Sequence, residues 1–139
     1  ISFVLSPTIM VYNIFSIDKL LNWWLHNMTP AFEELSTYTD IFSNILLGPD
    51  YLSLRALQPA TIGKLIDYYS NIPEIKEYNH QTGAFVNLFP RLVHILDNTE
   101  YGGPELHNQM VKYTLDMDKI KGQNVLDAVP ELTDEMVLI

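Results

Sequence analysis

Residues 82–98, TGAFVNLFPRLVHILDN, constrain this chain more than any other stretch. At helical spacing Phe85, Leu88, Phe89, Leu92, Ile95 and Leu96 fall on one broad face, and Val86 and Val93 widen it. Asn87, Arg91, His94 and Asn98 recur at i, i+4, i+7 and i+11 and make one narrow polar stripe. A helix apolar over most of its circumference needs neighbours on several sides, so this one is expected innermost. Thr82 is its expected N-cap. Pro90 removes a donor and leaves the carbonyl of Val86 without its helical partner. It lies at the edge of the polar stripe, where water reaches, so a kink is expected rather than a break. The stripe has two readings. It is a solvated strip, as polar helix residues usually are, or it is a ligand contact, with Arg91 binding an anion and His94 beside it.

The rest of the chain reads as further helices. Ser16 caps 17–28, where Ile17, Leu20, Leu21, Trp24, Leu25 and Met28 share a face. Short helices are expected at 7–15 and 50–58, and longer ones at 30–47 and 59–69. Asn71 and Glu74 suggest a further short helix to Tyr78. Residues 1–5 alternate and can be extended. After the Gly102–Gly103–Pro104 turn, Leu106, Met110, Tyr113, Met117 and Ile120 predict the apolar face of a helix that Gly122 ends. Residues 125–129 form a short helical turn, and Thr133, Asp134 and Glu135 look like a helix start before the apolar run to Ile139. No hairpin turn separates two alternating runs. The expected fold is therefore all-α: a single domain over 1–139, a compact bundle of seven or eight helices or a short two-helix-repeat superhelix.

The superhelix alternative rests on a weak repeat. Ile17-Asp-Lys-Leu-Leu-Asn-Trp-Trp aligns with Ile62-Gly-Lys-Leu-Ile-Asp-Tyr-Tyr at an offset of 45, and Met110, Val111 and Tyr113 fall at the next offset. Coincidence is the simpler reading, because amphipathic helices share apolar spacing.

The chain has 139 residues, 47% apolar and 18% charged, enough to build a core. It has no cysteine, so disulfides and thiolate zinc sites are excluded. The net charge is −9, and the eight basic residues are scattered, which argues against a nucleic-acid partner. Residues 1–17 carry no charge. They read as a buried segment or as one lying against a membrane or a partner; no basic leader marks a signal peptide.

Chemistry is sparse. Glu77-Tyr-Asn-His80 is a lone Glu-x-x-His, and di-iron sites need a second. No nucleophile-turn, zincin or phosphate-loop motif is present. Glu33 and Glu34 are adjacent and diverge on a helix. No catalytic residue, cofactor or metal ligand is therefore assigned. Of the adjacent aromatics, Trp23 and Tyr68 fall off the apolar faces and are candidates for a partner surface. The expectation is a non-catalytic helical interaction or structural module with a protein partner, as a subunit or fragment of a larger assembly. The alternative is a small ligand-binding protein or enzyme with its pocket at Asn87, Arg91 and His94.

Overall fold

The computed structural model describes residues 2–27, 38–41, 44–72 and 88–139. In order these hold β1 (Ser2–Leu5), β2 (Thr8–Ile9), α1 (Ile17–Asn27), β3 (Tyr38–Ile41), β4 (Asn44–Ile45), α2 (Pro59–Ser70), α3 (Leu88–Asp97), α4 (Pro104–Lys121) and α5 (Val125–Ala128). Tight 3-10 turns stand at Ile14–Ser16, Asp50–Leu52, Leu54–Ala56 and Pro130–Leu132. The chain is predominantly helical, as expected; the described residues hold four long helices and several short ones, and the count of seven or eight is not supported.

Strands replace expected helices at two places. β1 pairs with β3 and β2 with β4, both parallel, and the same 36-residue offset separates Ser2 from Tyr38 and Thr8 from Asn44. The two pairs form separate two-stranded sheets that share this offset. Parallel neighbours need a crossover connection, and α1 lies in it. β2 falls inside the helix expected at 7–15, and β3 and β4 inside the one expected at 30–47. Thr8, Ile9, Tyr38, Thr39 and Ile41 are β-branched or aromatic and suit a pleated backbone. Strands of two to four residues are too short to show a period in the sequence. Thr82, Asn87, the Glu77/His80 pair, Glu33, Glu34 and the short helix expected after Asn71 lie outside the described residues.

The buried apolar side chains form one contiguous cluster. In the uncharged N-terminal stretch Ile9, Val11, Ile14 and Ile17 are at most 1% exposed. Leu52, Ser53, Leu54, Ala56 and Leu57 are buried almost in succession. Here a short helix was expected, and tight turns stand instead. Burial at 52–54 and 56–57, with Arg55 exposed between them, follows neither a helical nor a strand period. Among the described residues no helix is long and apolar enough to cross a membrane.

α3 runs unbroken across Pro90 and packs on α2. It buries Leu88, Phe89, Leu92 and Leu96, keeps Val93 and Ile95 half-buried, and exposes Pro90, Arg91, His94 and Asp97. Its solvent face is thus wider than the narrow stripe expected, and the described part of 82–98 is not innermost. α4 is also rotated from expectation. It buries His107, Met110, Val111 and Thr114, while Leu106, Tyr113 and Met117 are half-buried and Ile120 is 77% exposed. Two polar residues enter the interior because partners wait there: Thr114 donates to the Met110 carbonyl and meets the Tyr12 hydroxyl at 2.6 Å. Gly122 ends α4 in the left-handed region, φ 62°, as expected of a C-terminal glycine.

The suspected repeat does not share its buried positions. α1 buries Ile17, Leu21 and Trp24, whereas α2 buries Thr61, Leu65 and Tyr69. Only Trp24 and Tyr69 correspond at full burial, so the match is one of apolar spacing.

Candidate functional site

A half-open groove of about 320 Å³ lies where α1, α2 and the C-terminal turns meet. Phe15, in the turn before α1, and Leu65 supply apolar lining, with Lys19 one helical turn beyond Phe15. On α2 the lining residues Thr61, Lys64, Leu65 and Tyr68 recur at helical spacing, so one face of that helix is a whole wall. Glu131 and Asp134 close the third side. Lys64 reaches Asp134 at 3.7 Å, with both side chains largely in water.

Tyr68 is held in this groove by a ring contact and a hydrogen bond. Its ring packs edge-on to Tyr69 with centroids 5.1 Å apart, and Tyr69 stacks on Phe89 at 5.9 Å. Its hydroxyl donates to Asp18, and that bond, followed by burial, raises the phenol above its ordinary value. The other carboxylate oxygen of Asp18, Oδ1, is buried without a hydrogen bond. Behind Tyr68, the Tyr69 hydroxyl donates to the Ile14 carbonyl and ties α2 to the turn before α1. Two walls of the groove are thereby held together. Burial, then the nearby Asp18 carboxylate, pushes the Tyr69 phenol strongly up.

The third wall is held by a buried polar cluster. Glu135 is 1% exposed and His107 0%. The Glu135 carboxylate accepts from the Gln58 backbone N–H at 3.2 and 3.3 Å and from the Thr61 hydroxyl. Gln58 is the N-cap of α2 and makes no side-chain cap bond, so a carboxylate from far along the chain does the capping there. His107 Nδ1 lies 3.2 Å from Glu135 Oε2 and 3.1 Å from the Ala56 carbonyl, and Nε2 lies 2.9 Å from the Val137 carbonyl. Threonine, glutamate and histidine together suggest a nucleophilic triad, but the order is wrong. The hydroxyl meets the carboxylate instead of the imidazole, and the ring lies out of solvent with both nitrogens engaged. The cluster is structural.

The sequence-derived candidates are distributed as follows. Tyr68 lines the groove and is 48% exposed. Trp23 is 53% exposed, one turn beyond Lys19 on α1. Arg91 and His94 are exposed on α3, where His94 faces the Asn98 amide at 3.2 Å. Two smaller cavities, about 210 and 240 Å³, lie beside α2 and beside α4, and neither they nor the groove include Arg91 or His94. Among the described residues no group of three His, Asp or Glu is placed to hold a metal ion. Sequence reasoning missed Lys19, Lys64, Glu131 and Asp134 because they are far apart in the chain. It missed His107 although a signal was there: it stands three and four residues before Met110 and Val111, on one helical face. Compared with family models, curated proteins and solved structures, the chain matches none.

Proposed function

We propose that this chain is a non-catalytic interaction module that seats a segment of a partner protein in the groove between α1, α2 and the C-terminal turns. The observation that carries this reading is the groove's construction: apolar lining from Phe15 and Leu65, a braced Tyr68, and lysines and carboxylates at the rim. An apolar lining takes one anchoring side chain, and a rigid aromatic beside it loses little freedom on contact. Charges of both signs at a rim select orientation more than they add affinity. Trp23 extends the same surface along α1. With its acidic balance and scattered bases, the chain has no footprint for nucleic acid.

The test begins with peptides selected from a random displayed library against the whole chain. Their affinities are then measured for Tyr68→Ala and Lys19→Glu. Both substitutions are expected to weaken binding by roughly tenfold or more. Peptides that tolerate both changes but are lost in Arg91→Ala or His94→Ala move the site to α3. That outcome favours the second reading, a ligand site at Asn87, Arg91 and His94.

A further inference from the structure

The groove's third wall is attached unlike the other two. α1 and α2 are fixed by buried apolar faces. Among the described residues, every backbone–backbone hydrogen bond made by residues 124–139 stays within that segment. Its links outward run through side chains. Glu135 reaches Gln58 and Thr61, and His107 reaches Val137. The Asn108 amide both accepts from the Ile139 N–H at 2.8 Å and donates to its carbonyl at 3.0 Å. Leu132 is fully buried, but Val137, Leu138 and Ile139 are 60, 53 and 60% exposed.

The lock is the set of contacts around the His107 ring. The Val137 and Ala56 carbonyls and the Glu135 carboxylate are all acceptors where they meet His107. All three contacts converge on one buried ring, so His107 joins Glu135, Ala56 and Val137 at a single point. A buried pair of this kind fails abruptly, because removing one partner leaves the other uncompensated. The least costly relief is to move the carboxylate into water, and among the described residues the 124–139 segment that carries it makes no backbone–backbone hydrogen bond to the rest of the chain. Thr61 couples the lock to the groove, since it lines the groove and also donates to Glu135.

We propose that residues 130–139 are a strap, locked by the His107–Glu135 pair, that opens as one unit while the four long helices stay packed. Opening carries Glu131 and Asp134 away and dismantles the groove. The opening is a property of the fold; its control of occupancy rests on the groove being the partner site.

The experiment is native-state hydrogen exchange by NMR on the whole chain, as wild type, Glu135→Gln and Asn108→Ala. In the wild type the amides of Leu132, Glu135 and Met136 are expected to share one opening, distinct from that of Met110 to Thr114 in α4. Glu135→Gln is expected to speed the strap amides by roughly tenfold or more and leave α4 unchanged. Asn108→Ala, which spares the buried pair, is expected to speed Ile139 alone. Strap amides that exchange only together with α4, or a Glu135→Gln variant that speeds both alike, overturn the strap. In parallel, a library-selected peptide that Tyr68→Ala abolishes is titrated into Glu135→Gln, with roughly tenfold weaker binding expected. Unchanged affinity alongside a freed strap overturns the gating and leaves the groove standing. If no selected peptide is sensitive to Tyr68→Ala, the groove reading and its gating fall together, and the exchange result still decides the strap.

Discussion

Residues 9–17 and residues 130–139 are both rich in apolar side chains, and the fold holds them in opposite ways. The first stretch buries Ile9, Val11, Ile14 and Ile17 to 1% exposure or less. The second buries Leu132 but leaves its last three apolar side chains largely in water, and its other anchors are His107, Asn108 and Glu135. Apolar burial is non-directional and spread over many contacts, so no single loss frees a segment anchored that way. Polar attachment is concentrated in a few bonds with fixed geometry, and one substitution can cancel several together. The difference teaches that apolar composition does not reveal how firmly a segment is fixed.

The comparison can be broken or sharpened by substitution. The largest effect is expected from Ile14→Ala, which opens a cavity in the shared core. It should cost about 2–5 kcal/mol of whole-chain stability, read as a lower urea midpoint with an unchanged slope. A loss confined to the N-terminal amides would mean that this stretch, too, is separately anchored. Glu135→Gln comes next, with a cost of about 1–3 kcal/mol that appears at the strap and not in α4. A matching drop in global stability would erase the contrast between the two stretches.

Tyr69 sharpens the comparison from within the apolar region, because its hydroxyl ties α2 to the Ile14 carbonyl. Its phenol is raised by burial first and by Asp18 second, so the folded state holds the proton more firmly than the unfolded one. The resulting stability is fully present below the ordinary tyrosine value, about 10. Above that it falls with rising pH, by up to about 1.4 kcal/mol per unit. Tyr69→Phe is expected to flatten this alkaline slope, at a cost near neutrality of about 1 kcal/mol for the lost bond. Urea titrations between neutral and strongly alkaline pH measure both, and an unchanged slope would assign the titration to another group.

The smallest effect is expected at the Lys64–Asp134 pair, whose side chains are 74 and 82% exposed. Asp134→Asn should change stability by less than about 0.5 kcal/mol, because water already screens both charges. The same variant is the mildest probe of the groove rim, and a large loss of stability would show the strap to lean on this contact.

Much of the helical framework was legible in the sequence. The α1 face through Ile17, Leu21 and Trp24, the start of α2 at Pro59, the end of α4 at Gly122 and the short α5 turn follow from apolar period and end signals that act within a few residues. The parallel strand pairs were not legible, because partners such as Ser2 and Tyr38 carry no local mark of each other. Of the groove, Tyr68 was found by its position off the apolar face, while Lys19, Lys64, Glu131 and Asp134 looked like ordinary surface charges. Glu135 appeared to be part of a helix start, and only its approach to Gln58, Thr61 and His107 made it a cap.

Local spacing therefore determined where the long helices run and, for α1 and α2, which side of each is apolar. Those properties come from the backbone's own periodicity and from end signals close in sequence. Tertiary structure decided how far α4 is turned, which polar residues enter the interior, and how each segment is fastened. A buried histidine or carboxylate is stable only opposite its partner, and that partner is brought there by the packing of distant elements.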